Sequence, residues 1–263
     1  MVEFVEKKEG LLARKKILDL GCGGGGISIA FAEKCKHVTA VDLKEKNISL
    51  LKQRLQERRY KNVSLLRGNA LNLPFKNMQF DKVIVNGLLE WVNWDREEAP
   101  AQSQGQLLAE VFRVLKKGGI LYLGIENRWC LINFIRDPHM KIPFVTVLPQ
   151  RIADWISIFL ASRPYQMPIH SYWKLRQMLI EKGFAKVCIY APLINYRYPI
   201  VYLPLDKDDD SMDKELKLGE IGTKYREADL GKLLIIKLLY IKLIHKLSLG
   251  KLFTPGFVAL AYK

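Results

Sequence analysis

Five of the six positions from Gly21 to Gly26 are glycine, and they directly follow the apolar run "KKILDL". A short apolar run that breaks into clustered glycines reads as a strand turning at once into another element, with bare backbone where side chains would obstruct. The stretch after it repeats the theme. A helix runs through Ala32, and "HVTAVDL" (37–43) is a β-branched second strand ending in an acid. A helix to about Tyr60 carries Ile48, Leu51 and Leu55 at helical spacing. "VSLLRGN" (63–69) and "FDKVIVNG" (80–87) read as strands three and four. Residues 103–117 read as a helix with Leu107, Val111, Val114 and Leu115 on one side, stopped by Gly118-Gly119, which opens strand five, "GGILYLGI" (118–125). Strands alternating with helices specify an α/β chain with a parallel sheet wound on both faces. Ligands of such sheets sit beyond the carboxyl ends of the strands. That rule singles out the glycine run, Asp42, Asn69, Asn86 and Glu126.

Beyond residue 125 the pattern loosens into scattered prolines and aromatics, read as a cap insertion over 126–170. "SYWKLRQMLIEKGF" restores a helix, with Ser171 as N-cap, Leu175, Met178 and Leu179 on one face, and Gly183 as stop. "AKVCIYAPL" (185–193) and "GFVALAYK" (256–263) read as strands six and seven. The chain is thus expected to be a single domain. It comprises a cofactor-binding core at 10–125, the cap, a core helix with strand six at 171–194, an insertion with a basic apolar helix at 195–254, and a terminal strand at 255–263. Strand one begins near residue 15, leaving little chain before it for covering helices.

A length of 263 residues with 49% apolar content supports a sizeable core. No stretch reaches eighteen uncharged apolar residues, and the first residues lack the apolar centre of a signal peptide. Cys22, Cys35, Cys130 and Cys188 form no CxxC pair and no zinc spacing, so no metal site is expected and a reduced, cytoplasmic setting fits. The net charge of +15 raises nucleic acid or an anionic membrane as partners. Outside the tail the basic excess is diffuse and no RNA-binding module is attached, which makes nucleic acid the lesser reading.

Two cofactors compete for the glycines. Gly21, Gly23 and Gly26 satisfy G-x-G-x-x-G, the dinucleotide pattern, with Asp42 placed for a ribose hydroxyl. Gly21, Gly23 and Gly25 equally satisfy D-x-G-x-G-x-G counted from Asp19. A pyrophosphate at the turn and helix N-terminus favours positive potential, which an acid at Asp19 opposes. S-adenosylmethionine has no phosphate and carries an ammonium and a sulfonium, which a carboxylate suits. Asp42 offers two acceptor oxygens to the ribose hydroxyls.

At this point the residues resemble the class I S-adenosylmethionine-dependent methyltransferases. "LDLGCGGGG" is similar to their first motif and "VDL" to their acid-ended second strand; "GNALNLPFKNMQFDKVIVN" and "VFRVLKKGGILYLG" are similar to the stretches around strands three to five. The ordered resemblance covers roughly residues 15–125. It implies a Rossmann-like, seven-stranded, mostly parallel sheet with helices on both faces plus cap insertions. It also implies S-adenosyl-L-methionine as cofactor, with S-adenosyl-L-homocysteine as product. By resemblance, Asp19, Gly21, Gly23 and Gly25 face the methionine part, Asp42 and Leu43 the ribose, Asn69 and Ala70 the adenine, and Asn86 to Leu88 the pocket edge. Asn69 stands where the family commonly has Asp, and its amide oxygen would accept from the adenine amino group.

The acceptor is less legible. Strand four ends in "NGLLEW", without the Asn-Pro-Pro-aromatic run of enzymes that methylate exocyclic or amide nitrogens, so oxygen is favoured. A hydroxyl acceptor needs a general base or tight positioning. Glu126, His139 and His170 are the catalytic candidates, in "IENR", "RDPHM" and "MPIHSYW". Each has a structural alternative: Glu126 can pair with Arg128, and a histidine can bond a backbone carbonyl. The segments 125–155 and 190–206 resemble a bacterial methyltransferase subgroup of surface-glycan and secondary-metabolite pathways. That implies a small-molecule or saccharide-like acceptor, lipid-linked in one version. An RNA methyltransferase or a non-catalytic partner subunit are the alternatives.

Residues 229–253 read as a helix. Leu233, Ile236, Tyr240, Leu243, Ile244 and Leu247 fall within one arc of about 100°, and Lys232, Lys242 and Lys246 cluster opposite. It packs on the sheet, or it lies on anionic headgroups at the inner face of the membrane.

Overall fold

The computed structural model describes residues 1–92, 100–135, 137, 139–165, 169–206, 239, 240, 243, 244 and 247–263. One eight-stranded sheet organises them, in the order β3-β2-β1-β4-β5-β8-β6-β7. The strands are β1 Lys16–Leu20, β2 His37–Asp42, β3 Val63–Arg67, β4 Phe80–Asn86, β5 Leu115–Glu126, β6 Lys186–Pro192, β7 Tyr202–Pro204 and β8 Gly256–Tyr262. β1 to β5 pair in parallel. β8 inserts antiparallel between β5 and β6, so β6 runs the same way as β5 and both end at one edge. β7, a short antiparallel edge strand on β6, is the eighth strand that the apolar pattern did not disclose.

Period-2 alternation sorts the strand residues onto two faces. Leu18, Leu20, Val83, Val85, Leu121 and Leu123 join the helices α4 (Pro100–Val114) and α7 (Tyr172–Glu181) in one core. Ile17, Val38, Ile84, Ile120, Tyr122 and Tyr190 face α1 (Val2–Glu9) and α2 (Gly26–Ala32) on the other. α3 (Glu45–Glu57) seals β2 with Ile48, Leu51 and Leu55. Ser171 caps α7 as expected, accepting from the Lys174 amide at 3.4 Å.

Two local expectations need correction. α4 ends at Val114 and β5 begins at once, so Gly118-Gly119 is not a helix stop. It lies inside β5, where the register against β4 shifts. A Cβ on Gly119 would sit 2.8 Å from the Lys116 carbonyl, which is why a glycine stands there. The chain before β1 also forms a helix, α1, whose Phe4 ring stacks on Tyr202 at 3.7 Å and whose Glu9 accepts from the Tyr262 hydroxyl. Leu and Ile are absent from α1, so its few apolar residues gave a weak periodic signal.

The cap holds α5 (Leu131–Ile135) and α6 (Gln150–Ala161), the latter packed through Ala153 and Ile156 on Ile142, Val145 and Tyr165. A last short helix, α8 (Gly250–Phe253), precedes β8. Of the helix expected over 229–253, residues 229–238, 241, 242, 245 and 246 lie outside the described residues. Tyr240 donates to the Phe253 carbonyl and Ile244 is buried, while Leu243 and Leu247 are each 55% exposed, so the expected arc does not turn one way. Among the described residues no helix is long and apolar enough to cross a membrane.

Candidate active site

The carboxyl edge of the sheet gathers two groups of polar residues. The first surrounds the glycine turn. Gly21 and Cys22 donate to the Val41 carbonyl at 2.8 and 3.1 Å, which holds the turn against the end of β2. Gly23 and Gly25 both have positive φ, but for different ends. A Cβ on Gly25 would lie 2.1 Å from Leu51, so that glycine lets α2 and α3 close up. A Cβ on Gly23 would meet nothing within 4 Å, so that bend opens toward free space. Leu88 packs over Gly21 and links the turn to the loop after β4.

Asp42 ties this region together. One oxygen accepts from the Gly23 amide at 2.9 Å; the other accepts from the Lys44 amide at 2.9 Å and from Asn47 at 3.0 Å. A carboxylate has about four acceptor sites, so three protein donors leave about one for a ribose hydroxyl rather than the pair expected. Leu43, beside it, is 64% exposed. The Gly68 amide donates to the Asp42 carbonyl at 3.0 Å, which sets the Asn69-Ala70 turn next to Asp42. Asn69 uses its amide oxygen to accept from the Leu71 amide at 3.0 Å, so that oxygen is partly committed to its own turn.

Asp19 differs from the expectation in depth. It is 1% exposed and accepts from the Ser28 hydroxyl at 2.5 Å, beneath the turn rather than on it. Burial, helped by the Asp42 charge, pushes its carboxyl up to about 6. The residues still fit S-adenosylmethionine better than a dinucleotide. Two carboxylates lie under and beside the turn, a cation is the natural guest of that field, and the open approach at Gly23 admits it.

The second group lies at the ends of β4, β5 and β6. Glu126 ends β5 and is buried, as is Glu90 in the loop after β4. The Tyr196 hydroxyl lies 2.8 Å from Glu126 Oε1 and 3.2 Å from Glu90 Oε1, and accepts from Arg197 Nε at 2.9 Å. Room for its ring comes from Gly87, Gly124 and Gly256, on each of which a Cβ would approach Tyr196 within 3.2 Å. Arg197 reaches Glu126 at 3.5 Å from a half-exposed position. Burial, reinforced by the Glu126 charge, holds the Glu90 carboxyl well above the usual carboxylate range.

His139 completes this group. Its side chain is 2% exposed and Nε2 is 3.9 Å from Glu126 Oε1. Asp137 fixes the loop that carries it, accepting from the amides of His139 and Met140 and from the Tyr165 hydroxyl. Burial holds the imidazole below its ordinary value. Both ring nitrogens, Glu90 Oε2 and Glu126 Oε2 are buried with no hydrogen-bond partner. Asn86 Oδ1, at the end of β4, is likewise buried and unpartnered.

His170 does not join them. Its Nε2 lies 2.7 Å from Gln104 Oε1, and its backbone carbonyl accepts from the Arg128 amide, stitching the cap to α4 and β5. Arg128 does not pair with Glu126; its guanidinium donates to the Leu148 carbonyl at 2.9 Å. A cavity of about 720 Å³ bounded by Lys16, His37, Ser64 and Phe80 lies at the amino ends of β1 to β4, the opposite edge from both groups.

Residues 18–123 match the protein family described as "Methyltransferase domain". Residues 18–123 thus carry a methyltransferase domain. A Listeria welshimeri protein named demethylmenaquinone methyltransferase is 35% identical over 108 residues, 40% of this chain and 42% of its own length. A Geobacillus protein of the same name is 32% identical over 149 residues, 56% of this chain and 60% of its own. The chain thus spans about two fifths to three fifths of these curated relatives. The methyltransferase domain shares its fold with YcgJ from Bacillus subtilis, at a TM-score of 0.52 and 16% identity, over all of this chain and 97% of that one. It also shares it with the (4+2)-cyclase SpnF, at 0.54 and 16%, over all of this chain and 79% of that one. A cyclase on the same scaffold shows that the reaction has to be argued from the acceptor end of the site.

Sequence reasoning missed Glu90, Tyr196 and Arg197. Glu90 stood four residues past strand four, at the informative edge, and that position was its signal. Tyr196 had no local signal, because only the insertion of β8 between β5 and β6 brings the end of β6 beside Glu126.

Proposed function

We propose that the chain transfers a methyl group from S-adenosylmethionine to an oxygen of a small-molecule acceptor, saccharide-like in its polarity. The observation that carries this reading is that His139 Nε2 lies 3.9 Å from Glu126 Oε1 at the carboxyl edge, beside the loop that packs on the glycine turn. The cofactor supplies a methyl group on a sulfonium, so the acceptor oxygen has to give up its proton as it takes the methyl. Around that oxygen, His139 acts as base or positioning group and Glu126 orients it, with Tyr196 holding Glu126. Asp42, Gly23, Leu43, Asn69 and Ala70 hold the cofactor. The relatives' names point to a quinone-type small molecule as the second acceptor class; the polar lining of the acceptor end favours a more hydroxylated compound.

The test uses methyl-labelled cofactor with a panel of hydroxylated glycans, glycolipids and phenolic quinols. An O-methyl product is expected, and His139→Ala should lower turnover by about 100-fold or more while S-adenosylhomocysteine binds as before. Label on carbon or nitrogen, or wild-type turnover in His139→Ala, would overturn the assignment.

A further inference from the structure

We infer that Glu90, Glu126 and His139 form a binding site for one divalent first-row metal ion. Three segments bring them together: the loop after β4, the end of β5 and the cap loop clamped by Asp137. One ligand atom from each residue lies within 4.8 Å of the other two. Bonds of about 2.1 Å to a shared ion would draw these atoms to roughly 4 Å or less, a movement that side-chain rotation alone covers.

The orphaned atoms say what is missing. Buried polar atoms are nearly always satisfied, and each exception needs an explanation. Here four exceptions come from the three residues alone: Glu90 Oε2, Glu126 Oε2 and both nitrogens of His139. The His139 side chain is 2% exposed, so bulk water does not serve it. Tyr196 occupies the other oxygen of each carboxylate, Arg197 approaches Glu126 from the solvent side and His139 Nδ1 faces Asp137 at 4.0 Å, so the unpartnered oxygens and Nε2 are left to one another. A bound ion would draw the proton from Glu90, and two carboxylates with a neutral imidazole are then a donor set for a cation. The nitrogen donor favours Mn²⁺, Fe²⁺, Co²⁺ or Zn²⁺ over Mg²⁺ and Ca²⁺, which prefer oxygen throughout.

Three protein ligands leave coordination positions open, and an open position accepts an oxygen of a substrate. Resting on the proposed methyl transfer, the ion would hold the acceptor's hydroxyl oxygen and fix its direction; His139 would then be the positioning group rather than the base, and the proton released as the methyl arrives would pass to water. This explains why Glu126 and His139 are near one another yet beyond hydrogen-bond distance, at 3.9 Å.

The full chain, stripped with chelator and dialysed, is titrated with Mn²⁺ by electron paramagnetic resonance and with Co²⁺ by visible absorption. One saturable equivalent is expected for each ion, with Co²⁺ bands of mixed nitrogen and oxygen ligation. Glu126→Gln and His139→Ala should each weaken binding by roughly 100-fold, while S-adenosylhomocysteine still binds by calorimetry, which certifies the fold. Glu90→Gln serves as a third variant where either loses cofactor binding. Absence of saturable binding of both ions to the unaltered chain, or equal affinity in variants that keep the cofactor site, would overturn the metal site. Failure of S-adenosylhomocysteine to bind the unaltered chain would instead overturn the methyltransferase reading, so the two failures are distinct.

Discussion

Asp42 and Glu126 both sit at the end of a strand on the same edge of one sheet, with β1 and β4 between them, yet their surroundings are finished differently. Asp42 takes three donors from its own chain, and the glycine turn, α3 and the Asn69 turn are all fixed through it. Glu126 keeps one oxygen unpartnered, beside an equally unpartnered oxygen of Glu90 and an imidazole with no hydrogen bond. The Asp42 end, the proposed cofactor site, is preorganised by the protein alone, which lowers the ordering cost of binding. The Glu126 end is left incomplete, and buried polar atoms without partners cost free energy until something completes them. The difference also tracks the chain: the first end is built from elements close in sequence, the second from four segments spread over residues 90–197.

The largest expected effect breaks the preorganised end from within. Gly25→Ala adds a methyl group 2.1 Å from Leu51 at a φ of +79. The left-handed backbone and the overpacking together should cost about 2–5 kcal/mol of unfolding free energy. Chemical denaturation measures it; a loss below about 1 kcal/mol would mean α2 and α3 do not close on that glycine.

Next comes His170, which stitches the cap to α4 and β5. Burial, with Lys174 and Arg128 adding to it, lowers its imidazole to about 4, against an ordinary 6.5. As the pH falls below 6.5 the unfolded chain takes up a proton that the folded chain refuses until about pH 4. Stability is therefore unaffected above 6.5 and declines below it, by roughly 2–4 kcal/mol at pH 4. Asp19, raised to about 6, works the other way in that window, since its folded form holds a proton longer than its unfolded form. The clean reading is the difference between wild type and His170→Gln across pH 4–7. It should shrink toward acid; a constant difference would place His170 in ordinary solvent.

The sequence disclosed the first end far better than the second, for physical reasons. β1, β2, β4 and β5 are largely buried and, like the edge strand β3, are set by local apolar runs, and Asp42 and the glycines follow from where those runs end. β7 is three residues long and α1 has few apolar residues, so neither carried a strong periodic signal. His139 and His170 looked alike in sequence. Only tertiary packing separates them, placing one against Gln104 and the other against Glu126. Tyr196 depends on an antiparallel strand that arrives sixty residues later in the chain, so no reading of its neighbours could place it.

The most direct test of the central claim is calorimetry of the full chain with S-adenosylhomocysteine and, separately, with NAD. The preorganised end predicts saturable binding of S-adenosylhomocysteine, weakened by about 1–3 kcal/mol in Asp42→Ala through lost charge-assisted bonds, and weaker or no binding of NAD. Tighter binding of NAD than of S-adenosylhomocysteine would contradict it.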